Sequence, residues 1–371
     1  MKLDANRMIV NLDAIKDNIN ILKNITKNKF FAVVKANAYG LGAVSISKYI
    51  ENDVDMFCVA TINEGIELRE NGIKKDILIL GYVLPDNYHF LSEYNLIMNI
   101  YNFEIAQDVN KIGCKIRGHI KVETGHNRLG FQVNEKSVSE IRLINDMENI
   151  HIEGIFTHYS SADEKDREYT IYQLHKFNEM ISKLGDISKK WIKHSANDAA
   201  GVAYNTGSDA IRSGISMYGM YPSEYMKEKL DLGIKNSFEL KSKVSNIKTI
   251  KKGEAVSYGR TFISDKERKI ATVSIGYADG YMRIISNIGY VLINGKKASI
   301  LGNITMDQFM VDISDIEVKL HDDVVLIGKS GNEEITPDMV ANWAKTISYE
   351  VMTSISPRVS RIYIEEKNCE D

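Results

Sequence analysis

The chain has 371 residues, of which 26% are charged and 44% hydrophobic, and its formal net charge is −3. This composition is typical of a globular protein long enough for one large domain and a smaller one. The near-neutral charge provides no basic surface for nucleic acid. Charged residues interrupt positions 1–18, and no apolar run approaches membrane-spanning length, so we expect neither a signal peptide nor a membrane partner.

The cysteines and histidines indicate neither disulfides nor a metal. Cys58, Cys114 and Cys369 are far apart, odd in number and match no metal-binding spacing. The eight histidines form no HExxH-type motif. We therefore expect a reducing cytoplasmic location and no metal site.

Apolar runs alternate with segments of helical periodicity up to about residue 235. Apolar residues recur on one helical face within 12–25, 138–144 and 174–184. This alternation predicts parallel βαβ units, and eight of them favour a closed (β/α)8 TIM-type barrel spanning 1–235. The eight predicted strands are FFAVV (30–34), MFCVAT (56–61), ILILGYV (77–83), NLIMNIY (95–101), HIKVE (119–123), IEGIFTH (152–158), WIKHSA (191–196) and AIRSGI (210–215).

From residue 236 onward the pattern changes to short β-type runs broken by Gly, Asn and Asp. This predicts a mainly β C-terminal domain over 236–371, with one late helix near TPDMVANWAKTI (336–347). We also expect an N-terminal strand of about ten residues to pair with this domain.

A lysine stands at the end of the first predicted barrel strand, where a barrel carries its chemistry. A single Lys35 in that position is more often a surface residue whose stem lies along apolar neighbours. However, Arg128, His158, Asn197 and Arg212 follow or end other predicted strands. Their convergence on one barrel face predicts an active site.

The chemistry of this face points to a carbonyl cofactor. A lysine desolvated at a strand end can have a lowered pKa and form a Schiff base. The loop that contains Gly214 can present backbone N–H groups to a phosphate. A reactive lysine beside a phosphate-binding loop indicates pyridoxal 5′-phosphate (PLP).

The stretch VVKANAYGLG (33–42) closely resembles the PLP-lysine motif of the alanine racemases. The resemblance implies a barrel followed by a β domain, and a PLP-dependent isomerase that interconverts L- and D-alanine and supplies D-alanine for cell-wall peptidoglycan. Ordered matches cover nearly the whole chain: KVETGHNRLG (121–130), EGIFTHYSSAD (153–163), HSANDAA (194–200), IRSGISMYG (211–219), VSYGRTF (256–262), IGYADGYMR (275–283), GNITMDQFMVD (302–312) and TISYEV (346–351).

The resemblance implies roles for the cofactor-binding residues. Lys35 would carry PLP, His158 would pack beside the pyridine ring, and Arg212 would lie at the ring nitrogen. Because a guanidinium does not give up its proton, Arg212 should leave that nitrogen unprotonated. The remaining cofactor-binding residues implied are Tyr39, Asn197, Gly214 and Ile215.

The resemblance also implies a two-base mechanism in a homodimer. Racemisation removes the Cα proton on one face and returns a proton on the other, so two bases must flank the reacting carbon. Lys35 and Tyr258 match these bases. Tyr258 and Met306 would reach into the partner subunit's barrel, so each active site would be shared.

Further substrate residues follow from the same motifs. Arg128 and the backbone of Met306 would meet the substrate carboxylate, and Tyr277 would line the substrate entrance. Lys121 matches a lysine that is often carbamylated in the family, where the carbamate holds the arginine equivalent to Arg128.

Four positions differ from the family pattern. Leu41 stands where histidine is common, and Thr305 stands where cysteine is common. Asp198 replaces a phosphate-binding serine, and its carboxylate would repel a phosphate. Pro357 replaces a tyrosine that contacts the phosphate and narrows the substrate pocket.

These differences leave other functions open. A racemase of serine or of broad specificity is the nearest alternative. A PLP-dependent decarboxylase would need a partner-chain cysteine near the substrate, and the C-terminal domain contains only Cys369. A non-catalytic PLP-binding barrel protein would end after the barrel, whereas this chain continues with Tyr258 and Met306.

Overall fold

The computed structural model describes residues 4–365, so Cys369 lies outside the described residues. Two compact units are present. The barrel unit comprises Ala14–Ala38 and Ala43–Asn236, and the β unit comprises the described residues before 14, Tyr39–Gly42 and the described residues from 237 onward. Within 4–365, every helix is too short or too polar to cross a bilayer.

All eight predicted barrel strands are present. They lie in a parallel sheet in the order β10-β2-β3-β4-β5-β6-β8-β9, with the short β7 beside β6. Ala196, directly after β9, forms a parallel bridge with Ile211 of β10, which joins the two ends of the sheet. The strands are β2 (Lys29–Val33), β3 (Met56–Val59), β4 (Ile77–Ile79), β5 (Ile97–Ile100), β6 (Ile116–Glu123), β7 (Phe131–Gln132), β8 (Ile150–Phe156), β9 (Ile192–His194) and β10 (Ala210–Ser213), preceded in the chain by β1 (Arg7–Asn11) of the β unit.

Helices connect these strands. They are α1 (Leu12–Thr26), the single left-handed turn α2 (Lys35–Tyr39), α3 (Ala43–Ile50), α4 (Ile62–Glu70), α5 (Tyr88–Glu93), α6 (Phe103–Asn110), α7 (Glu135–Asn145), α8 (Glu168–Leu184), α9 (Asp198–Ala203) and α10 (Glu224–Lys229), with 3-10 turns at Glu51–Asp53, Pro85–Asn87, Gly185–Ser188 and Ile215–Tyr218. The predicted helical segments correspond to α1, α7 and α8. In α8 the buried face includes Gln173, whose amide binds the loop after β8 through Ser160 and the carbonyl of His158.

The β unit contains the elements β11 (Phe238–Ile250), β12 (Ala255–Val256), β13 (Phe262–Ile263), β14 (Arg268–Val273), β15 (Tyr290–Ile293), β16 (Lys296–Leu301), β17 (Phe309–Asp312), β18 (Asp323–Ser330), β19 (Glu333–Ile335), α11 (Pro337–Ala344), α12 (Ser348–Ser354) and β20 (Ser360–Ile364), with 3-10 turns at Tyr258–Arg260, Tyr277–Asp279 and Arg283–Ile285. One sheet has the strand order β19-β18-β15-β16-β17-β14-β11-β1-β20, and β12 and β13 form a separate hairpin. One late helix was predicted, and the described residues contain two. The prediction missed α12 because its seven residues are too few to show a clear helical period.

The first strand of the chain lies inside this sheet. β1 pairs antiparallel with β11, with Met8 opposite Leu240, and parallel with β20, with Met8 opposite Arg361. The burial of β1 alternates, and Met8 and Val10 are fully buried. The N-terminal segment is therefore a structural part of the β unit.

Candidate active site

Lys35 opens a left-handed turn after β2. Ala36, Asn37 and Ala38 have φ of 52–54°, and Tyr39 has φ of 55°. Such a conformation costs about 1–2 kcal/mol per L-residue, so the surrounding structure must stabilise it. The backbone N–H of Ala36 donates to Glu64 Oε1 (2.6 Å), which is part of this stabilisation.

Several charges surround the amine of Lys35. Burial lowers its pKa, and the positive charges of Arg128 and Arg212 lower it further, while Glu64 raises it. The amine is thus more often neutral at physiological pH than an exposed lysine would be, which is the form that reacts with a carbonyl group.

Arg212 is held in the barrel by five acceptors. Its guanidinium donates to the carbonyl oxygens of Thr157 (2.7 Å), Ser195 (3.3 Å) and His194, and to the Nδ1 atoms of His194 (2.9 Å) and His158 (3.3 Å). Burial lowers the pKa of Arg212 to about 10, so it remains a cation at neutral pH. The structure therefore brings Arg212 and His158 together.

A line of buried histidines extends from Arg212. Because a guanidinium only donates, His194 Nδ1 must accept, and its Nε2–H then donates to His119 Nδ1 at 2.8 Å. Burial lowers the pKa of His119 to about 3, and burial and Arg212 hold the pKa values of His158 and His194 well below the usual range. All three histidines are neutral around the fixed cation.

Lys121 lies on β6 with its amine against an aromatic ring. Its Nζ is 4.4 Å from the ring centroid of Phe156, and the same ring stacks on His194 with centroids 4.7 Å apart. Burial, followed by the charges of Arg212 and Arg128, holds the pKa of Lys121 well below that of an exposed lysine. Lys121 is therefore a buried amine of lowered pKa in the field of two arginines.

Arg128 lies in the loop after β6 and is exposed. Glu123 organises this loop: its carboxylate accepts hydrogen bonds from the backbone N–H groups of Gly125 (2.5 Å) and Arg128 (3.0 Å). These and further backbone hydrogen bonds keep the pKa of Glu123 low despite its burial. The loop is therefore fixed by an ionised carboxylate.

The predicted phosphate-binding loop surrounds Asp198. The Asp198 carboxylate accepts from the hydroxyl of Ser213 (2.5 Å) and from the N–H groups of Gly214 (3.0 Å) and Ser216 (3.3 Å), and the N–H of Ile215 also contributes. Asn197 caps α9, because its side chain accepts from the N–H of Ala200 at 2.9 Å. A carboxylate thus lies where the sequence predicted a phosphate.

Three predicted residues gather in the β unit around residues 303–306. Asn303 donates to the carbonyl of Tyr258 (2.7 Å), and the N–H of Tyr277 donates to the carbonyl of Thr305 (3.1 Å). Tyr258, Met306 and Tyr277 are 74%, 52% and 42% exposed in the single chain.

The predicted residues thus fall into two sets, one in each unit, and Tyr39 belongs to the β unit. Its ring lies 6.0 Å from that of Tyr349, within the β unit.

Several supporting residues escaped sequence reasoning. His194 stands in the apolar run WIKHSA, where a polar side chain in a buried strand was a signal. Glu64 completes a capping box with Thr61, which predicts only the start of α4. Its hydrogen bond to Ala36 has no local sequence signal.

Together, the fold and this cationic cluster define an α/β-barrel protein with a lysine of lowered pKa at the C-terminal ends of its strands. Residues 10–222 match the family model "Alanine racemase, N-terminal domain", and residues 237–363 match "Alanine racemase, C-terminal domain". The chain belongs to the alanine racemase family and is an isomerase of that family.

Individual relatives agree over nearly the full length. The alanine racemase of Methanococcus maripaludis is 41% identical over 369 residues, covering 96% of this chain and 97% of that protein. The structure of alanine racemase from Clostridium difficile 630 superposes with a TM-score of 0.92 at 40% identity, covering 99% and 97% of the two chains. A Bacillus anthracis alanine racemase with bound L-Ala-P has a TM-score of 0.94 at 34% identity, covering 99% and 96%.

Proposed function

We propose that the protein interconverts L- and D-alanine with PLP held on Lys35, in the cytoplasm, and so supplies D-alanine for peptidoglycan. One observation carries this proposal: Lys35 follows a barrel strand with its pKa lowered by burial, Arg128 and Arg212, in a chain that belongs to this family.

The residues around Lys35 fit the ring of PLP. When bound, PLP withdraws electrons and makes the Cα–H of an attached amino acid acidic. Arg212 offers only donors, and its neutral histidine neighbours cannot take its place as acids. The phosphate side fits less simply: the N–H groups of the Gly214 loop suit a phosphate, but they already bind Asp198.

Two bases on opposite faces of Cα would move the proton. Lys35, whose pKa is lowered by burial and by Arg128 and Arg212, would serve one face, and the partner subunit's Tyr258 would serve the other. The exposure of Tyr258 and Met306 supports a homodimer in which these side chains enter the partner's barrel. Ser257 and Arg260, on either side of Tyr258, have positive φ, a backbone conformation that costs free energy and is often found at functional sites. This supports a functional role for the loop that carries Tyr258.

Arg128 and the backbone N–H of Met306 would hold the substrate carboxylate, and Tyr277 would line the entrance. Lys121 would be carbamylated, because a neutral amine can react with CO2 and the resulting anion would be stabilised by Arg128 and Arg212. The lowered pKa of Lys121 and the charges of both arginines support this assignment.

A second candidate, a racemase of serine or of broad specificity, is favoured by one residue. Pro357 is exposed and stands where the family has a tyrosine that narrows the pocket. Proline has neither the ring volume nor the hydroxyl of tyrosine.

One experiment tests both candidates. The purified enzyme, supplied with PLP, is incubated with each L-amino acid in deuterated water, and loss of the Cα–H NMR signal is followed together with chiral analysis of the product. Exchange with formation of D-alanine supports the proposal, and faster formation of D-serine supports the second candidate. PLP loading without exchange in any amino acid would contradict both.

A further inference from the structure

Asp198 occupies a binding loop that the resemblance assigns to a phosphate. Its side chain is 6% exposed, and its recorded partners are the hydroxyl of Ser213 and the N–H groups of residues 214–216. These partners do not titrate. The carboxylate therefore uses the same donors that an anionic ligand would use.

One further donor of this loop has no acceptor among the described residues. Ser216 is 1% exposed, and its hydroxyl has no hydrogen-bond partner among the described residues. A buried hydroxyl without a partner costs free energy unless a ligand or water reaches it. The loop thus has capacity for a further acceptor, as a phosphate would provide.

Two anions cannot share these donors without a penalty. A phosphate monoester carries nearly two negative charges above its second pKa of about 6. When two anionic oxygens lie side by side in a buried site, one of them holds a proton. Burial already raises the pKa of Asp198, so this group accepts a proton more readily than an exposed aspartate does.

We propose that the phosphate of PLP enters this loop only together with one proton, which is held between Asp198 and a phosphate oxygen. The inference rests on the proposed use of PLP. Protonated Asp198 becomes a donor to the phosphate and takes the place of the family's serine hydroxyl. Ionised Asp198 instead closes the loop on itself and competes with the phosphate.

The affinity for PLP should therefore depend on pH in a way that requires the phosphate group of the ligand. Where free Asp198 and the free phosphate are both ionised, above the second phosphate pKa of about 6, and below the pKa of the shared proton in the complex, PLP affinity falls by up to about tenfold per pH unit as pH rises. Pyridoxal lacks the phosphate and does not bring a second anion into the loop. The ratio of the two dissociation constants, Kd(PLP)/Kd(pyridoxal), isolates the effect.

The test uses the full chain freed of its cofactor, with both dissociation constants measured from pH 5.5 to 8.5 by the visible absorption of bound ligand. Relative to the Asp198→Asn variant, the wild-type ratio should rise at least about tenfold with pH. The amide of the variant donates to phosphate without titrating. Asp279→Asn is the matched control, because Asp279 is also buried and accepts a backbone N–H, from Gly276 at 3.0 Å.

The inference is overturned if Kd(PLP)/Kd(pyridoxal) depends on pH equally in the wild type and in Asp198→Asn. It is also overturned if Asp279→Asn loses the pH dependence of this ratio as Asp198→Asn does. Should Asp198→Asn fail to fold, Asp198→Ser replaces it. Calorimetry of the wild type in two buffers gives an independent result: PLP should take up more protons than pyridoxal between pH 6 and 8, and equal numbers would overturn the inference. If neither ligand binds at Lys35, the proposed function itself fails.

Discussion

The carboxylate of Glu64 accepts a 2.6 Å hydrogen bond from the backbone N–H of Ala36, the residue directly after Lys35. Its other oxygen accepts from the N–H groups of Ala60 (2.7 Å) and Thr61 (3.2 Å). One side chain therefore connects the loop after β3 to the left-handed turn that begins at Lys35. Its negative charge also raises the pKa of Lys35.

Glu64→Gln should alter both the position and the basicity of Lys35. A glutamine has a single carbonyl oxygen, so it cannot accept from both loops, and it has no charge. We expect kcat to fall by about 10- to 100-fold, because small displacements of a reacting group are costly. The charge of Glu64 raises the pKa of Lys35, so its removal should lower that pKa. The acidic limb of the kcat–pH profile should then move to lower pH.

Glu67→Gln, on the exposed face of the same helix, is the control for this variant. An unchanged pH profile in Glu64→Gln, with only a fall in thermal stability, would mean that Glu64 has a purely structural role.

Lys35 should be the residue that carries PLP. The purified protein should be yellow, and borohydride should remove the visible band and fix the cofactor on Lys35. Lys35→Ala should abolish racemisation. A peptide map that places the reduced cofactor on another lysine, such as Lys121, would refute the assignment.

Tyr258→Phe should retain PLP and lose turnover by about 10²–10⁴-fold, because only the titrating oxygen is removed. Mixing Tyr258→Phe chains with Lys35→Ala chains tests whether the site is shared. A heterodimer would place both lesions in one site and leave the other intact, so activity should recover to about half of the wild-type value per heterodimer. Absence of recovery after demonstrated subunit exchange would argue against a shared site.

Pro357→Tyr should sharpen the preference for alanine. Discrimination by apolar pocket shape is worth about 1–3 kcal/mol, so we expect the alanine-to-serine ratio of kcat/KM to rise by roughly 10-fold or more. If the neighbouring Arg358 filled the space left by the missing tyrosine ring, Pro357→Tyr would not change specificity. In the structure the Arg358 guanidinium instead pairs with Asp307 (2.8 Å) and Asp279 (3.4 Å). An unchanged ratio in a correctly folded dimer would show that position 357 does not set specificity.

Acid should destabilise the barrel through its buried histidines. An unfolded histidine takes up a proton below pH of about 6.5, whereas folded His119, His158 and His194 have lowered pKa values and stay neutral. Stability is therefore lost as pH falls below about 6.5, and for His119 the loss continues down to its folded pKa of about 3.

His119→Gln isolates one of these protons. Between pH 6.5 and 5.5 the variant should lose about 1 kcal/mol less free energy of unfolding than the wild type, as measured by urea titration with PLP saturating. Exposed His175→Gln should behave like the wild type. A wild-type slope in His119→Gln would indicate that His119 is charged in the folded protein.

Much of the fold could be predicted from the sequence because the barrel strands are short continuous apolar runs. Such runs are expected when both faces of a parallel strand are buried. The strand ends were predicted within a few residues. α12 was missed because seven residues give less than two full periods. The left-handed turn at Ala36–Tyr39 was also missed, since three of its four residues are not types that favour positive φ.

The site was readable where a residue type carries its own chemistry, as with Lys35 and Arg212. It was not readable where the role depends on distant partners. His119 and His194 are 75 positions apart, and only the closed barrel brings their rings to hydrogen-bonding distance. Asp198 was recognised as unfavourable for phosphate, but that it already binds the loop's own N–H groups required the structure.

The position of β1 between β11 and β20 also has a consequence for synthesis of the protein on the ribosome. β1 must wait for partners at residues 238–241 and 360–364, which are synthesised much later. At about 5–20 residues per second, that delay is on the order of tens of seconds. During this time Met8 and Val10, which are fully buried in the folded protein, lie on a segment whose backbone edges are unpaired.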